Sequence, residues 1–182
     1  MKTRYASLIP AALLATAAQA APPAGRMAPE FTHRGAGDWI NSPPLALAEL
    51  RGSVVLVDFW AFECWNCYRS FPWLNALAER YRGRGLRVVS VHTPELPAEH
   101  DRDELVRKVR QYGLTNPVML DDDSSYWNAM DNRYWPAFYL VDRGGAVRAV
   151  FVGETHAGDD NARAMENAVE RLLSEPAPGP GS

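Results

Sequence analysis

A run of seven mostly β-branched and aromatic residues, Val54–Trp60 (VVLVDFW), is followed four residues later by Cys64, and then by Cys67. A short continuous apolar run of this kind is the pattern of a strand buried on both faces, which requires packed layers above and below a sheet. The two cysteines are the only ones in 182 residues, so they do not belong to a disulfide framework spread along the chain. A bridge between them closes a tiny loop and removes little entropy from the unfolded chain. Reactivity explains the pair better than stapling does.

The rest of the chain alternates strand and helix patterns. Phe71, Leu74, Leu77 with Ala78, and Tyr81 recur every three to four residues and predict a helix stopping around Gly83–Gly85. Leu86–Val91 predicts a strand, Asp101–Tyr112 a helix ended by Gly113, Pro117–Leu120 a short strand and Ser124–Met130 a brief helix. Pro136–Val141 and Ala146–Val152 flank Arg143-Gly144-Gly145, a hairpin signal. The last helix, Asp159–Leu173, sets Ala162, Met165, Val169 and Leu172 with Leu173 on one face. The fold class is therefore α/β, a mixed central sheet flanked by helices that closes with a hairpin and a C-terminal helix.

At this length one domain is expected, and 47% hydrophobic with 23% charged residues is ordinary globular composition. The chain opens with Lys2 and Arg4, a short apolar run from Leu8 to Ala18, and Ala18-Gln19-Ala20, the pattern of a secretory signal peptide over 1–20. Residues 21–37, rich in Ala, Pro and Gly, read as an extended lead-in, 38–174 as the folded domain, and the Pro-rich 175–182 as a disordered tail. Removing residues 1–20 takes away two bases and no acid, moving the net charge from −3 to −5. A mildly acidic protein offers nucleic acid no electrostatic footing, and none is expected as a partner.

Cys64 follows a buried strand and falls at the N-terminal end of the next helix, where free backbone N–H groups and the helix dipole favour a thiolate. Other uses of the motif fit less well. A zinc site needs about four ligands, and there is neither a second Cys pair nor a His-x-His cluster, so no metal is expected. Covalent haem attachment needs His after the second Cys, where Tyr68 stands.

Residues 38–173 resemble a thioredoxin-like domain of the TlpA/ResA type, and most of all the thioredoxin-like C-terminal domain of DipZ proteins. The resemblance rests on Trp39-Ile-Asn-Ser-Pro-Pro, Leu50-Arg-Gly-Ser-Val-Val-Leu-Val-Asp-Phe-Trp, Cys-x-x-Cys, Val91-His-Thr-Pro-Glu and Tyr134-Trp-Pro-Ala-Phe-Tyr-Leu-Val-Asp, in that order. It implies a thioredoxin fold and an exported thiol-disulfide oxidoreductase that needs no cofactor. Cys64 would attack a disulfide of an exported protein and Cys67 would resolve it. The implied electron donor is a membrane thiol transporter of the CcdA/DsbD type.

The resemblance also gives roles to other residues. Asp58 matches the buried acid six residues before the first Cys; burial should raise its pKa and suit it to exchange protons with Cys67. Pro72 matches the proline that kinks the active-site helix. Pro136 matches the family's cis-proline, whose loop would hold substrate backbone by strand-like pairing. Trp135, where thioredoxins carry Thr, agrees with the DipZ-like group, and Trp135 and Trp65 are the expected members of an apolar substrate rim. Glu63 disfavours a thiolate at Cys64, an effect that screening reduces if its side chain faces water. Two rival readings remain on the same fold. A thiol peroxidase would need Pro-x-x-x-Thr/Ser-x-x-Cys, where Val57 and Ala61 stand, and a Sco-type copper-binding module would need Cys-x-x-x-Cys with a distant His.

Overall fold

The computed structural model describes residues 25–176, so the signal-peptide pattern and most of the expected tail lie outside the described residues. Six strands form one sheet: β1 (Trp39–Ile40), β2 (Val54–Trp60), β3 (Leu86–His92), β4 (Val118–Leu120), β5 (Ala137–Val141) and β6 (Val147–Val152). Their order is β1-β4-β3-β2-β5-β6, with β2, β3 and β4 parallel and the remaining pairings antiparallel. Four helices cover the sheet: α1 (Trp65–Tyr81), α2 (Arg102–Gln111), α3 (Ser125–Ala129) and α4 (Asp160–Ser174). This is the expected mixed sheet flanked by helices.

Every residue of β2 is buried. Its alternation assigns Val54, Leu56 and Trp60 to the side covered by α1, α2 and α4, where they pack with Phe71, Leu74, Leu105, Val109, Met165 and Val169. Val55, Val57 and Phe59 face the other side, against Phe31, Trp39 and Tyr126. The helices begin where side chains cap them. The Asp101 carboxylate accepts the Glu104 N–H at 2.9 Å ahead of α2, and Asp159 accepts the Ala162 N–H at 2.7 Å ahead of α4. After α1, Gly85 takes φ 98°, a conformation other residues adopt at a cost, and turns the chain into β3. The Arg143–Gly145 signal is a hairpin turn, with Gly145 at φ 85° donating its N–H to Asp142 O.

Strand β1 has no counterpart among the expected elements. Two residues carry no periodicity, and Trp39–Ile40 is a strand only because it pairs with Met119 and Val118 of β4. The described part of the lead-in, residues 25–37, also takes part in the fold. Met27 bridges Ala146, and Phe31 is 1% exposed, its ring 5.5 Å from that of Trp39 and 5.2 Å from that of Tyr126. At the other end, Arg148 pairs with Glu175 at 3.0 Å. Truncating a buried aromatic removes both transfer energy and packing, so Phe31→Ala should lower stability by about 3–5 kcal/mol. Met27→Ala, at a half-exposed side chain, should change it by under about 0.5 kcal/mol. Urea unfolding of the two variants checks this, and equal effects would contradict it.

Candidate active site

The chain leaves β2 through Ala61 and Phe62, both buried, and enters α1 with Cys64 as its N-cap. Cys64 and Cys67 form a disulfide across the first turn, and the Cys67 N–H donates to Cys64 Sγ at 3.2 Å. The two sulfurs differ in access. Cys64 is half-buried, whereas Cys67 is fully enclosed among Trp60, Phe71 and Phe138 of the apolar cluster under α1. Pro72 lies inside α1, where it removes one helix N–H, and the Ser70 hydroxyl bonds back to Asn66 O at 2.8 Å in the same stretch.

Asp58 sits between Leu56 and Trp60 on β2, so its side chain belongs to the same side of the sheet as α1 and Cys67. It is 1% exposed. Burial pushes its carboxyl up to about 7, and a 2.9 Å hydrogen bond from the Ser90 hydroxyl only partly opposes that rise. The nearby His92, at the end of β3, is buried between aromatic rings, 5.0 Å from Trp60 and 5.5 Å from Phe62. Burial, with a smaller contribution from His100, lowers its pKa to about 3, so it is neutral over the physiological range.

One loop is fastened to the cysteine segment, and a second is fastened to the start of that loop. Glu99 is buried in the loop between β3 and α2, and one of its carboxylate oxygens accepts the Glu63 N–H at 2.8 Å. The other accepts the N–H groups of Glu95 and Leu96 at 2.6 and 2.7 Å. One carboxylate thus ties the residue before Cys64 to a neighbouring loop. The second fastening is the turn before β5. The Trp135–Pro136 peptide is cis, Pro136 is buried, and the Trp135 indole N–H donates to Thr93 O at 3.1 Å.

The expected rim residues divide on inspection. Trp65 is 68% exposed beside Cys64. Trp135 is half-buried and packs against Trp127, with ring centroids 4.0 Å apart and planes tilted by 30°. Trp60 and Trp73 are core residues. Glu63 is exposed, the arrangement in which water screens its charge from Cys64.

The Redoxin family model matches residues 23–169. The chain belongs to the Redoxin family. Among curated Redoxin-like relatives, protein DipZ of Mycobacterium bovis is 40% identical over 149 residues, 80% of this chain and 21% of DipZ. The chain therefore spans about a fifth of the DipZ relatives it matches. Thiol-disulfide oxidoreductase YkuV of Bacillus subtilis is 28% identical over 147 residues, 81% of this chain and 94% of YkuV. A Chlorobium tepidum structure assigned as thiol:disulfide interchange protein DsbE superposes with a TM-score of 0.70 at 28% identity, covering 83% of this chain and 98% of that one. This Redoxin-family chain has the thioredoxin fold, with its cysteine pair in the disulfide form.

Three residues of this Redoxin site escape a reading of the sequence. Glu99 lies in the polar run Pro97–His100, which reads as surface, and its importance comes from three amides that only the folded loops bring together. Ser90 and Asn116, which build onto Asp58, sit in segments read simply as strand and loop. The parity of β3 was the available signal for Ser90, since Leu86 and Val88 face α1 from the same side.

The raised Asp58 pKa has a definite sign for stability. The folded carboxyl keeps its proton up to about pH 7, whereas an unfolded one releases it near 3.8. The stabilisation is therefore complete below about pH 3.8 and is lost as pH rises through about 7. Asp58→Asn should match the parent in pH response below about 4 and become progressively more stable than it toward pH 8, by on the order of 3–4 kcal/mol. Unfolding both oxidised proteins in urea across pH 3–9 measures the difference, and a pH-independent difference would refute the assignment.

Proposed function

We propose that the protein is an exported reductant that transfers two electrons from Cys64 and Cys67 to disulfides in exported proteins. The carrying observation is the asymmetry of the pair, with Cys64 accessible at the head of α1 and Cys67 enclosed behind it on the Asp58 side of the sheet. The N-terminus of a 17-residue helix favours a thiolate at Cys64. That thiolate attacks one sulfur of the substrate disulfide, forming a Cys64 mixed disulfide and releasing the other sulfur as a thiolate, which takes a proton from water. Cys67 then passes its proton to the Asp58 carboxylate and attacks Cys64 Sγ. The substrate leaves as a dithiol and the enzyme keeps the Cys64–Cys67 disulfide. A carboxyl titrating near 7 is matched to this exchange at neutral pH.

Trp65, Trp135 and Pro136 form the substrate-binding edge in this reading. Trp65 offers apolar surface next to Cys64 in the chain, and the cis-Pro136 turn is the strand-like docking point that the family resemblance implies. Glu63 is a minor modulator of Cys64. Export rests on the basic start, apolar run and Ala-x-Ala pattern of residues 1–20, with cleavage near Ala20 and residues 38–174 as the working domain. Among the described residues no helix is long and apolar enough to cross a membrane. The dithiol is regenerated by a membrane thiol transporter of the CcdA/DsbD type, the donor class that the DipZ-like resemblance implies.

Cys67→Ser removes the resolving thiol and should accumulate mixed disulfides through Cys64 on expression with the signal sequence intact. These are visible as dithiothreitol-sensitive bands on non-reducing gels and absent from Cys64→Ser. Failure to trap any exported partner through Cys64 would contradict the proposal.

A further inference from the structure

The two oxygens of Asp58 have different surroundings. Oδ2 accepts the Ser90 hydroxyl at 2.9 Å, whereas Oδ1 is buried and bonded by no described residue. Ser90 stands opposite Asp58 in the β2–β3 ladder and is fully buried. Its oxygen in turn accepts a hydrogen bond from Asn116 Nδ2 at 2.9 Å. The same Nδ2 donates to the Pro117 carbonyl at 3.2 Å.

These contacts set the direction of every proton in the chain. A backbone carbonyl only accepts, so the atom of Asn116 facing Pro117 O must be the nitrogen. An amide nitrogen only donates, so the Ser90 hydrogen cannot point at Asn116 and turns to Asp58 instead. The polarity therefore runs one way, from Asn116 through Ser90 to Oδ2.

We infer that Asn116 and Ser90 are positioning residues that hold Oδ2 of Asp58 as a fixed acceptor, leaving Oδ1 as the oxygen that takes up and releases the Cys67 proton. The inference rests on the reading of Asp58 as proton acceptor given above. A donor aimed at a carboxylate stabilises its ionised form, so the chain counteracts burial and holds Asp58 near neutrality. Among the described residues no charged group contributes to the Asp58 shift, whose causes are burial and the Ser90 hydrogen bond. From β5, α2 and α4 the neighbouring side chains are apolar, including Phe138, Leu105, Val109 and Met165. The titratable groups on this side among the described residues include the cysteines, Tyr68 and Tyr81 of α1, Tyr112 after α2, neutral His92 of β3, and Lys108 of α2, which lies over the Tyr68 ring and pairs with Glu104. Glu166 and Glu170 of α4 are engaged by Trp73 with Arg80 and by Tyr81 with Arg84.

The test titrates the Asp58 carboxyl carbon by 13C NMR in the oxidised protein, where the cysteines do not titrate, and follows release of thionitrobenzoate from Cys64 by Cys67 across pH. Ser90→Ala should raise the Asp58 midpoint by about one pH unit. The corresponding release at pH 7 should slow about fivefold, in proportion to the ionised fraction. Ser90→Thr keeps the hydroxyl and should restore the parent midpoint. Asn116→Asp, which replaces the donor by an acceptor and draws the Ser90 hydrogen away, should raise it at least as far as Ser90→Ala. A midpoint unmoved in Ser90→Ala, or moved equally by Ala and Thr, overturns the inference. If instead Asp58→Asn leaves the pH profile of release unchanged while Ser90→Ala still shifts the NMR midpoint, the proton-acceptor reading fails and the hydrogen-bond chain stands.

Discussion

Complete burial of β2 is the constraint on which the other parts depend. A strand with no exposed residue must be central, and β2 lies between β3 and β5 with a packed cluster on each face. Its last residues leave the sheet into buried Ala61 and Phe62, so the cysteine segment is launched from a rigid base. The same burial makes Asp58 unusual. A carboxyl at that depth is disfavoured as an anion, and only the Ser90 hydroxyl offsets this. Scaffold and chemistry therefore share one strand.

The site is assembled from segments far apart in sequence, each fastened by a small number of directed bonds. Glu99 draws the β3–α2 loop onto Glu63, and Trp135 hooks the turn before β5 onto Thr93. Asn116 reaches Ser90 from the approach to β4. Each of these bonds satisfies a polar group removed from water and at the same time joins two segments of the site. At the head of α1 the exposed side chains are Glu63, Trp65 and Asn66, around a half-buried Cys64.

Much of this arrangement is legible in the sequence. VVLVDFW announces a central strand, Asp101 and Asp159 announce helix starts, and the Gly pair after Arg143 announces the hairpin. These signals are local, so they survive without knowledge of the fold. What stays hidden is what depends on partners. Trp39–Ile40 becomes a strand through β4, Phe31 joins the core although its Ala-, Pro- and Gly-rich surroundings look extended, and Glu99 gains meaning from amides on two loops. The Asn116–Ser90–Asp58 chain joins residues from three segments, and only the parallel register of β2 and β3 lines two of them up.

The central claim is that Cys64 and Cys67 act together as an electron donor to exported disulfides. The reduction potential of the pair, measured by equilibration with glutathione or dithiothreitol buffers at pH 7, tests it most directly. The account predicts a potential in the thioredoxin range, near about −270 mV. A value near about −120 mV would mark the pair as an oxidant and contradict the claim.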